Sequence, residues 1–316
     1  MAQVSVPPAP GGVDIEIADS PLTVHKARLQ RAFKNGVWEL WKNRLATIGA
    51  VMVFCLFLVA VLAPVLATHD PVRQDYRRML QPPSMEHYFG TDKFGRDIWS
   101  RTVWASQRMV TIAVLAVIFG LFWGIPLGTI SGYYGGKVDM ILMRVVDAWL
   151  AFPGILFYLL AATLIRAYEL SLFWNTVGLI IALGLGNVPN VSRLVRGTVL
   201  AEREKDYVEA SHATGESHLY IAFRQILPNC LSPVIIQATI SLGFELLTIA
   251  TLSFLGLGAP PPTPDWGADL NLAREHMETR PYLAIFPGLA ISYAVLGFNL
   301  FGDGLRDILD PRTGDR

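Results

Sequence analysis

The sequence predicts an all-α integral membrane protein: a bundle of six transmembrane helices, preceded by one helix lying on the membrane surface. Three observations carry this. Of 316 residues, 52% are apolar and only 16% charged, against about 25% charged in soluble domains. Six apolar runs, at 45–67, 109–131, 138–165, 170–188, 231–257 and 282–302, hold only four charges, Asp139, Arg144, Asp147 and Glu245. None of the runs shows the short alternating segments of a barrel strand, and a helix needs about 20 residues to cross the hydrocarbon.

Taken in order, residues 1–25 are an acidic, proline-containing tail with no apolar h-region and no Lys or Arg before residue 26, so a cleavable signal peptide is not expected. Residues 26–44 place Leu29, Phe33, Val37, Leu40 and Trp41 at helical spacing among six basic residues, the pattern of an interfacial amphipathic helix. That cluster favours a cytoplasmic amino terminus, and six crossings return the carboxyl-terminal tail, 306–316, to the same side. Residues 45–108 then form the first crossing and a long extracytoplasmic loop, and 109–305 hold five further crossings. The loop from Thr68 to Arg108 carries seven basic residues against the orientation rule; the amino-terminal cluster is given more weight because first-helix flanks usually dominate. Pro153-Gly154 and Gly124/Pro126 are expected kinks, and Arg144 and Asp147 are spaced to pair along one helix.

The composition also excludes functions. Basic and acidic residues balance at 26 each, unlike a nucleic-acid binder. No ATP-binding loop can be drawn, since Ser131 and Val138 stand at the wrong ends of the stretch around Gly136-Lys137. No nucleophile elbow or HExxH is present, the six histidines lie in tails or loops, and Cys55 and Cys230 read as small core residues. No catalytic residue, metal ligand or cofactor is therefore expected in this chain. Gly184/Gly186 and Gly256/Gly258 read as close helix packing.

Between the fourth and fifth crossings, in the cytoplasmic segment 189–230, two short helices fit around Gly215, which can take the positive φ that ends the first; Pro228 suits the first turn of the next helix. On composition alone this is a solvated helical hairpin. Its Glu209-Ala210-Ser211, then Gly215, then Leu227-Pro228 resemble the EAA loop of permease subunits of binding-protein-dependent ABC importers, with Ser211 where the family usually has Ala. Phe89 to Arg101 resembles the FGTDxxGRDxxSR stretch of the dipeptide, oligopeptide and nickel permeases. The blocks 252–258, 261–267 and 298–311 match as well, and the long first loop is similar to the C-type subunit. Ala105, Gln107 and Ile249 depart from the family pattern.

The resemblance implies the type I importer permease fold and alternating-access uptake, with di- or oligopeptides as the expected cargo and nickel chelates or oligosaccharides as alternatives. It implies Glu209, Ala210, Ser211, Gly215, Leu227 and Pro228 as the ATPase-coupling segment. It also implies as partners a second homologous permease, two ATPase subunits that hold the ATP and Mg, and an extracytoplasmic substrate-binding protein, in the inner membrane of a prokaryote. From the residues themselves, Gln237, Ser241, Glu245 and Thr248 recur at steps of four, four and three on one face of the fifth crossing. That face either lines a translocation pathway or bonds a neighbouring helix.

Overall fold

The computed structural model describes residues 43–168 and 171–309. The expected surface helix and amino-terminal tail lie outside the described residues, except for Asn43 and Arg44. Asn43 caps the first helix, accepting at Oδ1 from the amides of Leu45 and Ala46. Nine helices organise the described chain: α1 (Arg44–Val61), α2 (Ile98–Tyr134), α3 (Gly136–Leu150), α4 (Gly154–Ala167), α5 (Leu172–Glu202), α6 (Asp206–Ala213), α7 (Leu231–Phe254), α8 (Trp266–Ala273) and α9 (Tyr282–Leu309). Shorter helical pieces join them, and among the described residues no strand forms beyond a single bridge between Thr91 and Asp97.

Among the described residues, five helices (α1, α2, α5, α7, α9) are long and apolar enough to cross a membrane. The run expected as a single third crossing is instead broken: α3 and α4 meet at 75° across Ala151–Pro153. Pro153 cannot donate a backbone hydrogen bond and opens α4. The bent pair still traverses the bundle. Asp139 near its start meets Arg196 near the end of α5, whereas Arg166 near its finish bonds the carbonyl of Gly256, past the end of α7. Counted as one span, it brings the total to six.

Other boundaries also move. The second crossing begins at Ile98, eleven residues before the apolar run, so its 37 residues extend about 55 Å, well past a hydrocarbon core of about 30 Å. The fourth continues through Pro189 to Glu202, which takes residues 189–202 out of the predicted loop. Pro126 sits within α2 without interrupting it.

α2 and α5 form the centre of the bundle, and glycine explains how closely they pack. Gly120, Gly124, Gly128 and Gly132 recur every fourth residue and face Asn187, Val191, Ser192 and Arg196 or Val199. A Cβ at Gly128 would lie 2.5 Å from the Ser192 carbonyl oxygen, and one at Gly124 would lie 2.7 Å from Val191 Cβ. Gly184 meets Ala116 and Phe119, and Gly186 meets Tyr158, as expected for close packing. Gly256 instead has a φ of +82° with open space where a Cβ would stand, so it serves the turn after α7 rather than packing. α1 and α9 pack as a second pair, and Asn43 donates to Asp307 Oδ2 at 2.9 Å, placing the two ends of the described chain together.

The bundle thus has two distinct ends. One, the cap, gathers the loop after α1 with α8 and the start of α9; the other, the hairpin end, carries α6 and the turns that follow it.

Candidate functional site

At the hairpin end, α6 is eight residues long and stops in a Schellman arrangement. Glu216 N–H donates to the Ser211 carbonyl at 3.2 Å, Gly215 N–H to the His212 carbonyl at 3.1 Å, and Gly215 holds φ at +77°. The inner face of the hairpin is anchored. Val208, Ile221, Ala222, Ile226 and Cys230 bury against Tyr133 of α2 and Val191, Val195 and Val199 of α5. Tyr207 Oη donates to Glu202 Oε1 at 3.0 Å and accepts from Asn229 at 3.2 Å. Burial raises the Tyr207 phenol above its ordinary range, which keeps that donor protonated.

The outer face is left open. Glu209, Ala210, Gly215 and Pro228 are exposed, Leu227 is partly covered, and a Cβ at Gly215 would touch nothing. Ser211 belongs to the inner side: its hydroxyl lies 2.7 Å from Gln225 Oε1 and 3.0 Å from the Tyr207 carbonyl, and Gln225 in turn bonds Glu216. The second arm passes through wider, π-helical turns at Ile221–Ile226 before Pro228, where no backbone N–H is available to continue an α ladder.

The acidic residues of α3 are tied to α5. Arg196 holds Asp139 through Nε and Nη2, and Arg193 Nη2 meets Asp147 at 2.5 Å. The expected Arg144–Asp147 pair is not what forms; Arg193, read from sequence as a loop residue, lies on α5 and reaches Asp147 across the interface.

At the cap, three arginines that the orientation rule counted as loop charges are built into ion pairs. Arg96 meets Asp92 at 2.6 Å, Arg101 meets Asp269 at 2.6 Å, and Arg108 meets Asp265 at 2.9 Å. Arg101 also donates to the carbonyls of Pro71 and Pro262, and Asp265 caps α8 through Gly267 and Ala268 while accepting from Ser253. Burial raises the Asp265 carboxyl above its ordinary value, with Arg108 pulling it back. Arg96–Asp92 is local, four residues apart, whereas the Arg101–Asp269 and Arg108–Asp265 pairs join loops far apart in sequence into one lid over α2.

Residues 124–315 match the model of a family described as binding-protein-dependent transport system inner membrane component, and residues 31–83 match the N-terminal transmembrane domain of oligopeptide transport permease C. The chain belongs to this permease family. It is 42% identical to a dipeptide transport system permease protein DppC from Alkalihalophilus pseudofirmus, over 90% of each chain. A DppC of Haemophilus influenzae is 39% identical over 94% of this chain and 99% of its own. A glutathione transport permease GsiD of Escherichia coli is 39% identical over 87% and 90%. Among solved structures, a chain of the inward-facing MetNI methionine ABC transporter shares the fold with a TM-score of 0.53 at 19% identity, covering 67% of this chain and 97% of its own. The chain is therefore a transmembrane subunit of an ABC importer with the type I permease fold.

In this permease the polar face of α7 is only partly assembled as the spacing suggests. Ser241 and Glu245 are buried, Gln237 donates to Ser241 at 3.3 Å, and Thr248 turns its hydroxyl back to the Phe244 carbonyl at 2.9 Å. Glu245 is 5% exposed, its Oε2 has no hydrogen-bond partner, and it lies within electrostatic reach of Tyr158 on α4. Ile249, at the position of the missing family Glu, is fully buried in the core.

Sequence reasoning missed two groups. The glycine stripe of α2 was visible as a four-residue repeat from 120 to 132. The convergence of His69, His87 and Asp97 at the cap was not, because the three lie far apart along the chain.

Proposed function

We propose that this permease couples ATP hydrolysis in partner subunits to import of di- or oligopeptides, through the exposed face of α6. The observation that carries the reading is the division of the hairpin. Its inner face is fixed to α2 and α5, while Glu209, Ala210 and Gly215 present a thin, small-residue surface on which a second protein can seat. Leu227 and Pro228 begin the return toward α7, so force received at α6 reaches the bundle directly.

On this reading the hairpin end is cytoplasmic, and so are both termini. On the same reading the chain sits in a prokaryotic inner membrane beside a second, homologous permease. Two ATPase subunits bind the ATP and Mg, and this chain holds no cofactor of its own. An extracytoplasmic binding protein meets the cap. The peptide assignment rests on relatives named for dipeptide, peptide and glutathione transport; nickel chelates and oligosaccharides are the alternative cargoes. Gln237, Ser241, Glu245 and Thr248 line the pathway, where the unpartnered Glu245 carboxylate meets the substrate's amino group.

Replacing Gly215 tests the coupling role. Gly215→Leu forces a branched side chain into a left-handed backbone, at about 1–2 kcal/mol, and covers the seat on α6. Membrane insertion and copurification with the second permease stay normal, while ATP-driven uptake in proteoliposomes falls to background. Wild-type uptake by this variant overturns the docking role. For the pathway, Glu245→Gln lowers uptake of substrates with a free amino group relative to amino-blocked ones; an unchanged ratio removes Glu245 from that role.

A further inference from the structure

The cap holds a group of side chains that neither the transport reading nor the fold requires together. His69 follows the end of the first crossing, His87 lies in the middle of the loop, and Asp97 is the N-cap of α2. One ligand atom from each lies within 4.8 Å of the others. His87 Nδ1 is 2.9 Å from Asp97 Oδ1, and His69 Nδ1 is 3.9 Å from Asp97 Oδ2. Ligands about 2.0–2.1 Å from a tetrahedral zinc stand roughly 3.3 Å from one another, so the two observed separations bracket that value. The imidazoles lie side by side, with centroids 4.6 Å apart and planes tilted by 33°.

We propose that His69, His87 and Asp97 form a binding site for a divalent first-row transition metal of the zinc type. Two imidazoles and one carboxylate suit such an ion and leave a coordination position open. That position faces a polar cavity of about 450 Å³, bordered by Thr68, Asp70, Asp75 and Glu86 together with Arg73 and Arg78.

The anchoring of the ligands favours a preformed site. His87 and Asp97 are buried at 4% and 2% exposure. Asp97 is held by the helix it caps, through the Ser100 amide at 2.8 Å, and the Ser100 hydroxyl accepts from the His69 amide at 3.0 Å. A carboxylate offers about four lone-pair sites, so Asp97 can cap α2 and bind metal together. The ion displaces two contacts: the Thr68 hydroxyl, 3.0 Å from His69 Nδ1, and the His87–Asp97 hydrogen bond. Arg78 Nη1 lies 3.4 Å from His87 Nε2, and its charge is already engaged by Glu86 and Asp75. Metal binding clips the loop that follows α1 onto the first turn of α2.

The test uses the purified transporter complex in detergent, stripped with chelator and titrated with Zn²⁺ against a chromophoric competitor. Wild type is expected to take up one Zn²⁺ that His69→Ala binds at least about tenfold more weakly. His69 is the partly exposed member and caps no helix, so its removal leaves the fold in place. A gain of signal supplies the second arm: Co²⁺ added to His69→Cys acquires a thiolate-to-metal charge-transfer band absent from wild type. Trypsin cleavage after Arg73 and Arg77 slows severalfold with Zn²⁺ in wild type and is unaffected in His69→Ala. Equal Zn²⁺ affinity in wild type and His69→Ala overturns the proposal, as does a Co²⁺ spectrum of His69→Cys with no thiolate band.

Discussion

The two ends of the bundle handle charge in opposite ways. At the cap, Arg96, Arg101 and Arg108 have side chains at most 14% exposed and are matched to Asp92, Asp269 and Asp265. At the hairpin end, Lys205, Asp206, Glu209 and Arg224 are exposed, and the buried contacts are mostly apolar. The cap is complete within one chain, its loops closed on each other by the Arg101–Asp269 and Arg108–Asp265 pairs that only folding brings together. The hairpin is complete on one side only. Local self-sufficiency separates a lid from a docking surface more sharply than the number of charges does, since both ends are rich in basic residues.

The largest expected effect in that contrast comes from Arg108→Met. It strands Asp265, whose side chain is fully buried, and breaking a buried pair from one side costs about 3–5 kcal/mol. Thermal unfolding of the complex reads this loss. The deficit is pH-dependent with a definite sign: burial already raises the folded carboxyl, and loss of the arginine raises it further. The variant is therefore relatively more stable when acid protonates Asp265, and loses that stability as pH rises through the folded value. A deficit that does not shrink on acidification would assign the loss to packing.

Next is Gly128→Val, which drives side-chain atoms against the Ser192 carbonyl. Overpacking at a backbone contact costs about 1–3 kcal/mol or more, and it affects both ends, because α2 and α5 support both. Gly197→Ala, on α5, serves as the control, since a Cβ there meets nothing within 4 Å. Ser211→Ala has a smaller effect, about 1 kcal/mol from the lost bond to Gln225. Hydrogen exchange should rise at 205–227 and remain unchanged at the cap; matching changes at both ends would dissolve the contrast.

The smallest effect lies at the exposed rim of the cap. Arg78 holds the Glu86 carboxyl below its ordinary value, and Lys93 does the same to Glu275. The stabilisation from these pairs is present above the ordinary carboxylate range and fades as pH falls through the lowered values. Moderate salt should weaken them in the same direction, as measured by tryptic cleavage in 73–93.

Much of the fold was legible because a bilayer excludes charge. α1, α7 and α9 begin within a residue of their apolar runs, although α1 ends six residues short, at Val61, and α9 runs seven further, to Leu309. The misplaced boundaries of the second and fourth crossings share a cause: hydropathy measures one residue at a time, whereas a charge paired across the fold no longer behaves as one. Arg101 and Arg108 made the second run start too late, and Arg193 and Arg196 ended the fourth too early, because Asp269, Asp265, Asp147 and Asp139 are distant in sequence. The break at Pro153 was foreseen as a kink, but its 75° depends on how α4 packs on α5. In the hairpin, Gly215 was readable from its place at the helix end, whereas the inward position of Ser211 required the partner Gln225 to be seen.

The glycine contact between α2 and α5 has a mechanical consequence. Where glycines let the short α5 side chains and carbonyls seat directly on the α2 backbone for about three turns, little lies between the two helices to yield, so they move as a single strut. One end of that strut seats the hairpin through Tyr133 and Val199, and the other carries Arg101 and Arg108 into the lid. A tilt imposed at the first end is delivered to the second across roughly the whole thickness of the membrane.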